Sequence, residues 1–267
     1  FNITMTLIWV CLIGVMVKIV MFLIPDGRKT ESDPFETLYL DENVKNQPAA
    51  ALQLVAKEIL HLSDQVKKVL HDTVTVVKEN QMQGVDKIQE ESAKVTKLTD
   101  KITDYLAGLF SSGLLTEQQA SQTAGLMYVL GDVERIGNLS AGIALSMKEK
   151  ETNQYKYSQE AMDELAKCLK TLEKMFDSAT KALRGDTTVE LEKLMKRKDK
   201  IVNLDIMMRK SHIQRVNKGK CKASLTTPFT NILHLIDRMG NSCINLADAA
   251  TNEVALKYFL PKDEMTM

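Results

Sequence analysis

The chain after Pro48 carries six segments in which apolar residues recur every three or four positions. In the first segment this spacing is shown by Val55, Ile59, Leu62, Val66 and Val69. Such a period keeps one face of an α-helix apolar. Five further segments show the same spacing, at about residues 85–109, 126–147, 161–183, 189–216 and 229–246. Glycine-containing turns such as Ser111-Ser-Gly and Arg184-Gly-Asp separate the segments. The pattern predicts an all-α fold of six long amphipathic helices.

The first 24 residues differ, because they are almost uniformly apolar. From Ile3 to Ile24 the only charged residue is Lys18. At about 1.5 Å of rise per residue, a helix over this run spans roughly the hydrocarbon thickness of a bilayer. A signal peptide and a buried core helix are the alternatives, but the run lacks a basic leading region and a small-residue cleavage site. We therefore predict a transmembrane helix over residues 1–24, the end of a truncated membrane domain, and a linker over residues 25–47.

A register at an offset of 103 residues relates the third predicted helix to the sixth. It places Leu130-Gly-Asp-Val-Glu-Arg-Ile-Gly-Asn138 over Leu233-His-Leu-Ile-Asp-Arg-Met-Gly-Asn241. The shared leucine, acid, arginine, glycine and asparagine indicate the duplication of a three-helix unit. We predict two tandem antiparallel three-helix bundles, over residues 48–150 and 151–252, followed by a tail over residues 253–267.

Composition excludes several function classes. The 35 Lys and Arg residues balance the 35 Asp and Glu residues, so the basic excess typical of a nucleic-acid-binding protein is missing. The four cysteines are far apart in the sequence, which indicates free thiols in a reducing compartment. The sequence has no glycine-rich phosphate loop, nucleophile elbow or His-Glu-x-x-His helix. We expect neither a nucleic-acid partner nor enzymatic activity.

One stretch is strongly basic although the whole chain is neutral. Residues 193–222 contain eleven Lys or Arg residues and two Asp residues. Two interpretations remain open, a solvated helix face or a surface that meets anionic lipid headgroups or an acidic protein partner. His212 lies in this stretch, and it is expected to complement the negative C-terminal end of its helix.

The repeated core also contains a candidate cation site. Glu134 and Asp237 each follow an apolar stripe residue, and Asn138 and Asn241 lie one helical turn further on. Two oxygen-bearing side chains at this spacing can bind a hard cation between successive turns. The alternative is that each acid makes polar contacts to a neighbouring helix.

These residues resemble a known family. Asp132-Val-Glu-Arg-Ile-Gly-Asn138 and Ile236-Asp-Arg-Met-Gly-Asn241 look like the paired signature of the PhoU family of phosphate-regulation proteins, which are built as two three-helix repeats. The apolar run that precedes Tyr39-Leu-Asp and Pro48-Ala-Ala-Ala-Leu resembles the C-terminal part of bacterial Na⁺/phosphate cotransporter family proteins. In such a protein, Na⁺ and phosphate are the transported species, and the transport residues lie upstream of this chain.

The resemblance also implies clustered metal ions, bound through acid-x-x-x-Asp motifs. Here Asn138 and Asn241 replace the closing aspartate, and the matching motif on the fifth helix is Asp199-Lys-Ile-Val-Asn203. The counterpart in the first repeat falls near Ser92 and Thr96, where no carboxylate is present. The candidate metal residues are therefore Glu134, Asn138, Asp199, Asn203, Asp237 and Asn241.

Taken together, the residues and the resemblance predict a regulatory PhoU-like domain of a sodium-dependent phosphate transporter. The expected location is the bacterial plasma membrane, with the helical domain in the cytoplasm. Expected partners are membrane lipid, the upstream transporter domain, a second copy of the chain and other phosphate-regulation proteins. The alternative is a membrane-tethered phosphate-signalling adaptor without transport activity.

Overall fold

A computed structural model describes Met16 and residues 37–152, 157–186, 189–251 and 256–259. The chain divides into two units, Phe1–Glu36 and Thr37–Met267, and the second unit contains nearly all of the described residues. Apart from Met16, the predicted transmembrane helix lies outside the described residues, as do residues 25–36 of the predicted linker and most of the predicted tail. Within the described ranges, no helix has the length and apolar character needed to cross a membrane.

The described residues of the second unit form six long helices and four short 3-10 turns, and no strand. Bundle 1 contains α1 (Pro48–Glu79), α2 (Val85–Ser111) and α3 (Glu117–Thr152). Bundle 2 contains α4 (Gln159–Leu183), α5 (Leu191–Asn217) and α6 (Thr226–Ala249). The all-α prediction is confirmed.

Local sequence explains where the helices begin and end. Helix α1 begins with Pro48 in its first turn and is capped at its C-terminal end by Asn80, whose φ of 53° lies in the left-handed region. Thr116 and Gln119 form a capping box at the start of α3, with N–H to side-chain distances of 3.0 and 3.2 Å. Ser158 accepts a hydrogen bond from the Ala161 N–H at the start of α4. Gly185, with φ of 95°, follows the end of α4, as the sequence predicted.

The apolar stripes of all six helices meet in one continuous hydrophobic core. Val133 of α3 and its repeat counterpart Ile236 of α6 are both buried, and the residues that follow them alternate between buried and exposed in nearly the same order. The repeated segments of α3 and α6 therefore bury corresponding faces. Cys168 and Cys243 are buried free thiols, and Cys221 is a partly exposed one. Burial raises the pKa of the Cys168 thiol to about 12.

The bundles pack through two pairs of helices, α1 on α4 and α3 on α6. Among the described residues, two ion pairs and one histidine–carboxylate contact link α1 to α4 and its C-terminal end. Lys67 pairs with Asp177, His71 Nδ1 lies 2.6 Å from Glu173 Oε1, and Arg184 Nη2 lies 2.8 Å from Asp64 Oδ1. Among the described helices, α2 and α5 take no part in the main contacts between the bundles.

The described end of the predicted linker packs on bundle 1. The Tyr39 N–H donates to Glu58 Oε2 at 2.7 Å, and the Tyr105 hydroxyl donates to the Asp41 carbonyl at 2.8 Å. Lys45 Nζ lies 4.8 Å from the centroid of the Tyr105 ring. Residues 37–47 are therefore attached to α1 and α2 rather than forming a free connector.

Candidate functional site

In bundle 1 the repeated motif forms a hydrogen-bonded group between α3 and α2. Asn138 Nδ2 donates to Glu134 Oε1 at 3.2 Å, one turn away on α3. The Asn138 amide oxygen accepts from the Ser92 hydroxyl at 2.9 Å and from the Thr96 hydroxyl at 3.2 Å. The two α2 residues that the sequence singled out for lacking a carboxylate therefore contact Asn138 directly. The amide uses both of its polar atoms within this group.

A glycine permits this close packing. A Cβ added to Gly137 would lie 3.2 Å from Val66 Cγ2 and 3.4 Å from Val95 Cγ1, which is too close for ordinary packing. The absence of a side chain lets α3 approach both α1 and α2 at the level of Asn138.

In bundle 2 a lysine occupies the corresponding place. Asn241 Nδ2 donates to Asp237 Oδ2 at 3.4 Å. Lys198 of α5 donates to Asp237 Oδ1 and, at 2.9 Å, to the main-chain carbonyl of the same residue. The Lys198 side chain lies against Gly240, where a Cβ would lie 3.1 Å from the lysine Cδ. The aspartate is therefore neutralised by a cation that belongs to the protein.

The register between the bundles explains why Lys198 is at this position. Ser92 and Lys198 are 106 residues apart, as are the buried stripe residues Val95 and Ile201. Lys198 is therefore the structural counterpart of Ser92. Asp199, the first residue of the motif predicted on α5, comes directly after Lys198, and both Asp199 and Asn203 are exposed. The residue of α5 that contacts Asp237 is therefore Lys198.

These side chains do not fit the metal cluster that the resemblance implies. In bundle 1 the one carboxylate, Glu134, has an amide N–H group directed at it, and in bundle 2 the Asp237 carboxylate holds an ammonium. Among the described residues, no three His, Cys, Asp or Glu side chains converge as a group that could hold a metal ion. A tightly bound transition metal normally needs several anionic or imidazole ligands.

Sequence reasoning overlooked Asp132, which links the two bundles. Its carboxylate accepts from the Ser242 hydroxyl at 2.7 Å and from Asn245 Nδ2 at 3.1 Å, both on α6. Arg135 lies 3.6 Å from the same carboxylate, so this arginine interacts with Asp132. The repeat contained a signal, because the counterpart of Asp132 at the offset of 103 is the apolar Leu235. A charged residue in one repeat and an apolar residue at the same position of the other indicate a polar contact for which only one repeat supplies the charge.

A cleft of about 310 Å³ opens beside Asp132 between α3 and α6. Its walls include Tyr128 and Val129 of α3 and Asp248 of α6. The Tyr128 side chain is 79% exposed, which is unusual for a large aromatic residue.

The fold and these motifs define a class of helical regulatory domain. Residues 59–147 and 165–250 match the family model of the PhoU domain, so the two matched segments coincide with the two bundles. The chain belongs to the PhoU domain family. A comparison with curated proteins gave no match.

Two solved structures are similar in fold. PhoU from Pseudomonas aeruginosa superposes with a TM-score of 0.66 at 14% identity, covering 73% of this chain and 93% of that one. The phosphate transport system regulatory protein PhoU from Streptococcus pneumoniae superposes with a TM-score of 0.63 at 16% identity, covering 77% and 95%. At these identities the likeness concerns the fold.

Proposed function

We propose that this chain is the regulatory PhoU-like part of a sodium-dependent phosphate transporter in a bacterial plasma membrane. The observation that carries the proposal is the order of the chain. An apolar run with Lys18 as its single charge precedes, in the same polypeptide, a domain of a family associated with the regulation of phosphate transport. The helical domain lies in the cytoplasm, and Na⁺ and phosphate are the transported species of the whole protein.

The domain acts by binding and conformational coupling. Residues 37–47 are attached to α1 and α2 through Glu58 and Tyr105. A rearrangement of bundle 1 therefore moves the segment that leads toward the apolar run. The Asp132 contacts and the ion pairs between α1 and α4 set the free energy of such a rearrangement.

The test is sodium-dependent uptake of radioactive phosphate by proteoliposomes that contain the natural gene product carrying residues 1–267. We expect uptake that requires a sodium gradient, and we expect Asp132→Ala to change its rate without changing the amount of protein inserted. Absence of sodium-dependent uptake in the unaltered protein would overturn the transporter proposal.

A membrane-tethered signalling adaptor is the second candidate, and one observation favours it. Helix α5 exposes a row of apolar side chains that share one side of the helix and are 40–60% exposed: Met195, Val202, Ile206 and Ile213. Apolar residues exposed in a row are typical of surfaces that bind a protein partner, such as another phosphate-regulation protein. Loss of partner binding in Ile206→Ser, combined with absence of phosphate uptake, would support the adaptor.

A further inference from the structure

A groove of about 340 Å³ lies between α4 and α5, on the side of bundle 2 away from the hydrogen bonds of Asp237. Its lining consists of five cationic side chains and one threonine: Lys167, Lys170, Thr171, Lys174, Arg197 and Lys200. Two of these cations belong to the basic stretch seen in the sequence, and the other three come from α4. The fold therefore adds three lysines to a charge excess that the sequence placed on one helix.

Two acids of α4 face the other bundle, and a third, Glu164, pairs with Arg215 of α5. Glu173 and Asp177 are directed at His71 and Lys67 of α1, in the contact between the bundles. Lys167, Lys170 and Lys174 of the same helix lie on the side of α5. The lining of the groove contains no carboxylate, and within the described ranges none of its lysines forms an ion pair with an acid. The charges that line the groove are therefore all positive.

Arg197 is held at the groove by neutral acceptors. Its Nη1 donates to the Ser178 hydroxyl at 2.6 Å and to the Lys174 carbonyl at 3.4 Å. Neither acceptor compensates the guanidinium charge. These bonds fix the orientation of the guanidinium, which leaves it prepared to donate to an oxyanion.

The spacing of the cations indicates an extended anion. Lys167 and Lys174 are seven residues apart on α4, which corresponds to about 10 Å along the helix. Cations from α4 and from α5 line the two walls of the groove. A row of phosphate groups presents successive negative charges, which can pair with cations on both walls.

We propose that this groove binds several phosphate groups in a row, through their phosphoryl oxygens. The source is either a soluble condensed phosphate or the clustered headgroups of an anionic lipid surface. Lys167, Lys170 and Lys174 supply charge along one wall, and Arg197 with Lys200 supplies it along the other. The site goes beyond the regulatory function proposed above, since binding here requires neither transport nor a metal ion.

The experiment is isothermal titration calorimetry of the full chain with sodium tripolyphosphate at physiological ionic strength. The test variant is Lys170→Glu with Lys174→Glu. The control, Lys193→Glu with Lys196→Glu, changes the net charge equally but alters exposed lysines paired with Glu190 and Glu192. We expect affinity to fall at least about tenfold in the test variant, because two charged contacts are lost, and to fall far less in the control. A second test variant, Lys170→Gln with Lys174→Gln, checks that the loss does not depend on introduced acids.

Two further arms identify the source of the phosphate groups. Binding to vesicles of phosphatidylglycerol and phosphatidylcholine is compared with binding to vesicles of phosphatidylcholine alone. All variants share the same apolar run, so its contribution to vesicle binding is the same in each. If the groove substitutions weaken the binding of tripolyphosphate, the ligand is a soluble phosphate. If they weaken only the binding to phosphatidylglycerol vesicles, the ligand is the lipid headgroups. The proposal would be overturned if the test and control variants lost affinity equally, or if the chain bound neither tripolyphosphate nor the phosphatidylglycerol vesicles. It would also be overturned if polyglutamate bound more tightly than tripolyphosphate.

Discussion

Lys198 donates hydrogen bonds to both the side-chain carboxylate and the main-chain carbonyl of Asp237. A metal ion at the motif of bundle 2 would need the same carboxylate oxygens. Because the lysine is attached to α5, its effective concentration at Asp237 is high, and it competes with any cation from solution. The chain therefore carries its own counter-ion at a position where the family resemblance implies metal.

The first prediction concerns metal content. We expect the purified chain to retain little or no iron or zinc after dialysis, as measured by elemental analysis. Asn241→Asp alone should raise zinc affinity only slightly, since Lys198 still covers Asp237. Lys198→Ser together with Asn241→Asp should raise zinc affinity at least about tenfold. The first change removes the cation that covers Asp237, and the second adds another anionic ligand.

The matched control for the metal experiment is Lys196→Ser with Asn241→Asp. Lys196 lies on the same helix but pairs with Glu192, with both side chains largely exposed. Near-stoichiometric transition metal in the unaltered chain, or an equal gain in the control, would contradict the role given to Lys198.

The second prediction compares two glycines of α3. Gly137→Ala should lower the free energy of unfolding by roughly 1–2 kcal/mol, because the new methyl group would press on Val66 and Val95. Gly131→Ala is the control, since a Cβ there meets nothing within 4 Å. It should stabilise the protein by about 0.5–1 kcal/mol through helix propensity alone. Urea denaturation followed by circular dichroism measures both, and the same sign for the two variants would contradict the packing argument.

The third prediction concerns the contact between the bundles. Asp132→Ala should cost about 1–3 kcal/mol of unfolding free energy, because it leaves the buried Ser242 hydroxyl without its acceptor. Asp248→Ala removes an exposed carboxylate from the same cleft and should change stability by less than about 0.5 kcal/mol. Similar losses in the two variants would show that Asp132 is not a specific link.

The fourth prediction is a pH dependence at His212. Its ring is buried, stacks on Phe229 with centroids 4.9 Å apart, and exchanges a hydrogen bond of 3.0 Å with the Thr226 hydroxyl. Burial, followed by the nearby charge of Arg215, lowers the pKa of His212 from its ordinary 6.5, while Glu164 opposes the shift. A neutral buried ring cannot complement the helix end as a cation, so that sequence-based expectation is wrong.

The sign of this dependence follows from the direction of the shift. Below the ordinary pKa of 6.5 the unfolded chain binds more protons at this histidine than the folded chain. The stabilising contribution is therefore complete above pH 6.5 and is lost as the pH falls through the lower pKa of the folded state. Thermal melting between about pH 7.5 and 5 should show this loss in the unaltered chain and a flatter profile in His212→Gln. Identical slopes in the two proteins would contradict it.

The sequence was a good guide to helices and a weaker one to the contacts between them. The spacing around Val133 and Ile236 predicted both helices and their buried faces, because a period of 3.6 residues directly reflects helix geometry. The same periodicity does not give the rotation of one helix against its neighbour. The motif on α5 was accordingly placed at Asp199, whereas the adjacent Lys198 contacts Asp237. One residue corresponds to about 100° around a helix, which is enough to exchange a carboxylate for an ammonium.

Helix pairing between the bundles has a consequence for how the domain is organised. Helix α1 packs on α4 and α3 packs on α6, and each of these pairs joins a helix to its own repeat counterpart. This is the arrangement of an isologous interface, in which two copies of one unit meet about a twofold axis through the same surface. The domain thus has the architecture of a homodimer joined into a single chain. Joining frees each half to diverge, so that Asp132 faces the other bundle on one side of the pseudo-twofold axis and Leu235 stands in its place on the other.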